Sequence, residues 1–375
     1  MDTAGQTHPP SDAESAWTAA WKLSARRAVR GATATLLLIT AWAVPLAPAG
    51  ASEIETQSRA MQRAQEAVVG IEVQIVDGAT SARTLGTARE GSGVLISDDG
   101  LVLTIGYLVL EAESVQLVTH DGRRLPARVV AYDVATGFGL LQALAPLGRR
   151  PVPLAPHATP ATRETPETPE KQAGDSPLTV ISGGDDGEVE AVRLVSRRAF
   201  SGFWEYHVDG ALFTAPPARQ HSGAALFNAR GELLGVGSLV VPDARGPDQP
   251  RTPGNLFVPV ELLLPVLAEM RSQGRSLASA RPWLGVNCAE QAGQLRVLRV
   301  TDDSPADVAG LQVGDRITRL DGVKVAALAQ LWKALWADAR PERAVELEIE
   351  RGGRPMTITV QAVDRAKTLK RAVGI

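Results

Sequence analysis

The strongest constraint on this chain's fold is a rhythm of short apolar runs, each ended by a glycine-bearing turn. AVVGIEVQIV at 67–76, GSGVLI at 91–96, LVLTI at 101–105, SVQLVT at 114–119 and ARVVAYD at 127–133 are rich in Val, Ile and Leu. Asp98-Asp99-Gly100 and Asp121-Gly122 lie between them as hairpin signals. Strand-like runs recur at 177–196 and 203–214, and 226–241 reads as two strands around Gly231. β-branched side chains favour extended backbone, and Gly or Asp-Gly supplies the positive φ of tight turns. The pattern predicts a β-barrel or sandwich and excludes an alternating α/β fold. Around it, Glu55 to Ala67 reads as an amphipathic stretch. The run 258–273 has helical spacing of Leu262, Leu263, Val266, Leu267 and Met270, and is expected to close the barrel as a helix before a linker at 274–281.

Composition narrows the chemistry. The 375 residues carry a formal charge of −3, which gives no electrostatic reason to expect a nucleic-acid partner. One Cys excludes an intramolecular disulfide and a Cys-based metal site. No metal-ligand spacing, phosphate loop or dinucleotide fingerprint is present, so no cofactor and no metal are expected. Lys22, Arg26, Arg27 and Arg30 precede an apolar run and the small residues of 47–51. Residues 1–51 therefore read as a polar extension with a cleaved export signal, or an uncleaved anchor as the alternative, which would be the chain's one membrane contact. Either places the body outside the cytoplasm, in a bacterial periplasm or cell envelope. The Pro-, Thr- and Glu-rich stretch at 156–174 reads as a disordered insert within a domain spanning 55–273, with His157 solvated.

Three segments, in order, give this middle region a family likeness: GSGVLISDDGLVLT at 91–104, ARVVAYDVATGFGLLQA at 127–143 and HSGAALFNARGELLGV at 221–236. Together they resemble trypsin-like serine proteases of the HtrA type, in which a double β-barrel is followed by a PDZ domain. The resemblance implies a mainly β fold, with a trypsin-like double barrel and a small α+β PDZ domain. The chemistry departs from the family pattern. Tyr107 stands where the pattern has the catalytic histidine, and Gly137 where it has the aspartate. Ser222 keeps the nucleophile position, and Gln220 occupies a glycine position of the oxyanion hole. A serine hydroxyl needs a base to become nucleophilic, and a phenol that ionises near pH 10 is almost wholly protonated at neutral pH. Loss of triad function costs about 10⁴–10⁶-fold in turnover. Gln at 220 is also expected to disfavour a left-handed backbone there. Among the other histidines, His221 with Glu205 or Asp209 is the alternative site.

Residues 282–365 resemble a bacterial PDZ domain, carried most specifically by SPADVAGLQVGDRI at 304–317. Ser304 and Pro305 fit the start of a short helix, a second helix is expected at 327–338, and Gly352-Gly353 marks a hairpin. The resemblance implies a groove that adds an extended peptide to a strand edge and holds its terminal carboxylate on the backbone amides of Trp283, Leu284, Gly285 and Val286. Leu284, Val286, Leu331 and Leu335 would line the apolar pocket, and Cys288 is expected to be a small buried residue. The basic tail 366–375 ends in Val373-Gly374-Ile375, which such a pocket could accept from this chain or another copy. The expected function is a proteolytically impaired, exported scaffold that binds C-terminal or unfolded segments of other proteins. The competing expectations are an active endopeptidase with a rearranged base, and an adaptor that joins an active protease in mixed oligomers.

Overall fold

A computed structural model describes residues 49–155 and 177–370. The expected export segment, apart from residues 49–51, lies outside the described residues, as do the insert at 156–174 and the terminal Val373-Gly374-Ile375. Among the described residues no helix is long and apolar enough to cross a membrane. Helix α1 (Ala49–Ala67) leads into the first strand and sinks Ala64 and Ala67 into the core.

The mainly β expectation is met. Strands β1 (Val68–Ile75), β2 (Ala88–Leu95), β3 (Leu101–Ile105), β4 (Ala112–Val118), β5 (Arg124–Tyr132) and β6 (Phe138–Ala143) close into a barrel in the order β1-β2-β3-β6-β5-β4. Strands β7 (Leu178–Ile181), β8 (Val189–Ser201), β9 (His207–Ala215), β10 (Ala225–Phe227), β11 (Leu233–Val241) and β12 (Gly254–Pro259) close a second barrel in the order β10-β11-β12-β9-β8-β7. Closure pairs every strand on both sides, so these short strands leave no edge to be satisfied by water. One apolar core, from Ile71, Leu103 and Phe138 to Phe213, Phe227 and Leu256, runs through both barrels. The site between them is therefore built on rigid walls.

Two expectations need correction. The run 258–273 is not one helix. Its first residues end β12, and a 3₁₀ turn at Val260–Leu262 follows before helix α4 (Leu267–Gln273). Pro259 and Pro265 lack the N–H groups that a continuous helix would need. Strand β12, paired with β11 and β9, closes the barrel. Residues 203–206, expected within a strand, form the projecting connection between β8 and β9.

Two single turns of helix, α2 (Ala82–Leu85) and α3 (Gly106–Val109), decorate the first barrel. Beyond residue 281 lie β13 (Pro282–Trp283), β14 (Val286–Gln291), β15 (Gln294–Val300), α5 (Pro305–Val308), β16 (Arg316–Leu320), β17 (Val323–Lys324), α6 (Leu328–Leu335), β18 (Arg343–Arg351) and β19 (Arg354–Asp364). The strands form a seven-stranded sheet in the order β13-β19-β18-β16-β15-β14, with β17 beside β16. Ser304 caps α5 by accepting the Asp307 amide at 3.3 Å, and Gly352 and Gly353 turn the β18–β19 hairpin at positive φ. The sheet has its own core around Trp332, Leu295, Leu347 and Val360.

The linker is tied down. Asp133, fully buried, accepts hydrogen bonds from the Ser276 amide at 2.9 Å, the Ser279 hydroxyl, and the Thr136 amide and hydroxyl at 2.9 and 2.7 Å. Burial pushes its pKa up, but those hydrogen bonds together hold it below the usual aspartate range. A lowered folded pKa gives stability that is fully present above pH ~4 and is lost as the pH falls through the lowered value. Asp133→Ala should cost about 2–4 kcal/mol in urea unfolding at neutral pH, because it leaves buried donors unpaired. The difference from the native chain should narrow in acid, and a difference independent of pH would contradict this account.

Candidate functional site

Tyr107 sits in α3, which follows β3 directly, and Ser222 sits in the tight turn before β10. The structure brings them together: the phenol oxygen lies 2.9 Å from the Ser222 hydroxyl and 2.9 Å from the Ser238 carbonyl. A phenol has one proton. When it goes to the carbonyl, which can accept but not donate, Ser222 is left to donate to the phenol oxygen. Burial pushes the Tyr107 pKa up to about 12, opposed by the Ser222 hydrogen bond. At neutral pH the group beside Ser222 is thus even more completely protonated than an ordinary tyrosine, so almost no phenolate is available to act as a base.

The turn around Ser222 is fixed by neighbours from both barrels. The Ser222 carbonyl accepts the Ser92 amide at 2.8 Å, and the Gly223 amide donates to the Gly237 carbonyl at 2.9 Å. Gly223 has φ +74°, and a Cβ there would lie 2.0 Å from the Ser92 carbonyl oxygen. A side chain at 223 is therefore excluded twice, by conformation and by space. Gln220 is not among the residues with positive φ, so the left-handed backbone that Gln disfavours is not adopted there. Its side chain donates to the Asp186 carbonyl at 2.7 Å.

Gly137 enters the same site by backbone alone. Its carbonyl accepts the Gly106 amide at 2.7 Å, next to Tyr107. At φ +85°, a Cβ would meet the Tyr206 hydroxyl at 2.9 Å. Tyr206 is itself held by donation to the Thr136 carbonyl at 3.0 Å. Gly137→Ala should cost about 1–3 kcal/mol in thermal or urea unfolding through left-handed backbone and this contact. An unchanged midpoint would argue against the close packing of Tyr206.

The alternative base is not assembled. His207, rather than His221, meets Asp209: its Nδ1 lies 2.8 Å from the Ser201 hydroxyl and its Nε2 3.2 Å from Asp209. Both ring nitrogens are engaged on the β8–β9 hairpin, and burial lowers the His207 pKa despite Asp209. Burial likewise lowers the pKa of His221, whose Nδ1 is buried with no hydrogen-bond partner among the described residues, and a hydrogen bond to the Arg219 backbone opposes that lowering.

Glu205 is in neither arrangement. Its buried carboxylate accepts the amides of Leu284 at 3.1 Å, Gly285 at 2.7 Å and Val286 at 3.2 Å. These are three of the four loop amides expected to hold a peptide carboxylate, Trp283 being the fourth. Burial pushes the Glu205 pKa up to about 7, opposed by those amides and by Arg365. Leu284, Val286, Leu331 and Leu335 are at most 2% exposed and lie in the core of the third sheet. Trp283 pairs with Val363 on β19, under the Arg365 guanidinium. Cys288 is buried, and burial pushes its thiol pKa up. The sequence brought Glu205 forward only as a partner for His221 and held no local signal for its amide partners, which lie about eighty positions away.

Residues 91–236 match the trypsin-like peptidase domain family and 282–362 the PDZ domain family. The chain is 24% identical over 318 residues to "Serine endoprotease DegS" of Salmonella typhimurium, covering 80% of this chain and 85% of that one. It is 29% identical over 279 residues to "Probable periplasmic serine endoprotease DegP-like" of Ectopseudomonas mendocina, covering 70% of this chain and 54% of that one. The chain thus spans about half the length of that relative. The HtrA-type protease AlgW, solved as a single-residue variant with a tripeptide, superposes with a TM-score of 0.50 at 19% identity, over 82% of this chain and 96% of that one. At that identity the likeness speaks for the fold.

Proposed function

We propose that this protein, an HtrA-like trypsin-fold chain with a C-terminal PDZ domain, works by holding polypeptide rather than by cutting it. The observation that carries this reading is the Tyr107–Ser222 pair at 2.9 Å. The serine hydroxyl has a neighbour that can share its proton but, with a pKa raised to about 12, does not remove it at neutral pH. Gly137 brings no carboxylate to orient a base, and a side chain there would press on Tyr206. His207 spends both ring nitrogens on Ser201 and Asp209. Ser222 and Gln220 then serve as remnants of a nucleophile turn and an oxyanion hole, and the barrels serve as a scaffold.

The binding function falls to the PDZ domain, with the amides of Leu284, Gly285 and Val286 as the carboxylate site and Leu331 and Leu335 in the apolar wall. C-terminal segments of other proteins are the ligand class that such a nest of amides recognises. The basic and apolar N-terminal run, together with a relative whose name places it in the periplasm, supports an envelope location.

Purified protein should give no labelling of Ser222 by a fluorophosphonate at neutral pH and no casein cleavage that Ser222→Ala abolishes. Turnover should lie at least about 10⁴-fold below that of an intact triad enzyme. Ser222-dependent labelling together with cleavage would overturn the reading in favour of an active endopeptidase with a different base.

A further inference from the structure

The groove that would take a peptide is filled by the chain itself. The connection between β8 and β9 leaves the second barrel at Gly202 and returns at His207. Trp204 forms an antiparallel bridge with Asn287 on β14. The Cys288 amide donates to the Phe203 carbonyl at 2.6 Å. Trp332, fully buried on α6, donates its indole N–H to the Gly202 carbonyl at 3.0 Å. The segment therefore lies between β14 and α6 and runs antiparallel to the strand. It approaches the 284–286 loop, where the Glu205 carboxylate accepts three amides. Every element of strand addition is present: main-chain pairing to a sheet edge, a helix on the other side, and a carboxylate in a nest of amides. Only the source of the carboxylate differs, since it belongs to a side chain and the backbone continues past it to Tyr206.

We propose that Gly202–Tyr206 is a built-in pseudo-ligand that holds the PDZ groove closed, and that partners with a free C-terminal carboxylate bind by displacing Glu205. The inference rests on the reading of the PDZ domain as a peptide binder. The closed state carries a cost that leaves it open to exchange. Glu205 is 4% exposed, so the closed state desolvates a carboxylate and gives up part of what the three amides return. An α-carboxylate is a stronger acid than a glutamate side chain and brings the same two acceptor oxygens. The segment also carries its own packing: Trp204 stacks on Tyr206 with ring centroids 5.9 Å apart and meets Phe203 edge-on at 4.8 Å. Phe203 is 52% exposed, which offers an incoming chain a place to begin.

The test uses the full chain, as native protein, Glu205→Gln and Trp332→Phe. Hydrogen exchange is read at the amides of Leu284, Gly285, Val286 and Cys288, with Val102 and Leu140 of the first barrel as folding controls. Binding is read with fluorescent ten-residue peptides ending in Val, Leu or Ile, each made with a free and an amidated C-terminus. Glu205→Gln is expected to speed exchange at the four groove amides at least tenfold with the controls unchanged. It is also expected to bind the free-acid peptides at least tenfold tighter than the native chain does, while the amidated peptides gain nothing. Trp332→Phe, which keeps an aromatic ring but removes the N–H to Gly202, should give a smaller gain in the same direction. Equal affinity of native protein and both variants for the free-acid peptides, with exchange unchanged, would overturn the pseudo-ligand and leave the peptide-binding reading standing. Faster exchange with no binding of any peptide would overturn the peptide-binding reading and the pseudo-ligand with it.

Discussion

Much of the geometry depends on one buried carboxylate, that of Asp133. It sits where β5 ends and accepts both the amide and the hydroxyl of Thr136, which fixes the turn that presents Gly137 to the site. Its other oxygen accepts from Ser276 and Ser279 in the linker, which fixes the path by which the chain leaves the barrels. A buried ion is stable when its acceptor sites are filled, and this one gathers its donors from two segments about 140 positions apart. Removing those donors would leave a desolvated charge, so turn and linker are held to one arrangement. Arg275 adds an ion pair to the buried Asp364 at the end of β19, so the same linker also grips the third sheet.

Glu205 has the opposite character. It too is buried and accepts backbone amides, but its pKa is raised where that of Asp133 is lowered. The difference is in the balance of burial against donors. Asp133 receives hydroxyl and amide hydrogens from three residues in two segments, whereas Glu205, also buried, is served by the backbone amides of a single loop. One carboxylate therefore locks a joint and the other closes one that can be opened.

The barrels were largely legible in the sequence. Strand positions follow from Val- and Ile-rich runs between turn glycines, and each of the five runs named from 67 to 133 falls on one of β1 to β5 within a few residues. The run 258–273 was misread because its leucines keep a helical spacing while Pro259 and Pro265 interrupt the hydrogen-bond ladder, a case of periodicity losing to backbone chemistry. At the site, motif position identified Tyr107, Gly137 and Ser222, and the 2.9 Å contact is what turns adjacency of motifs into an interaction. Pairing His221 with Glu205 or Asp209 failed because nearness along the chain does not fix where a side chain points. Asp209 lies two residues from His207 on the same strand, so the two side chains share a face, whereas His221 lies in a turn of another segment.

The sequence by itself determined the fold class and the order of the trypsin-like and PDZ matches, and it puts Tyr107 and Gly137 where the resemblance implies a histidine and an aspartate. Those are properties of local pattern and residue type, and local pattern is what a chain writes along its length. Only the tertiary structure decided that the peptide groove is occupied. Glu205 and Gly285 are 80 residues apart, and nothing in FWEYH or PWLGV announces that one will fill the other. A carboxylate finds a nest of amides through the packing of two domains, and that packing is set by the sum of many weak contacts rather than by any motif.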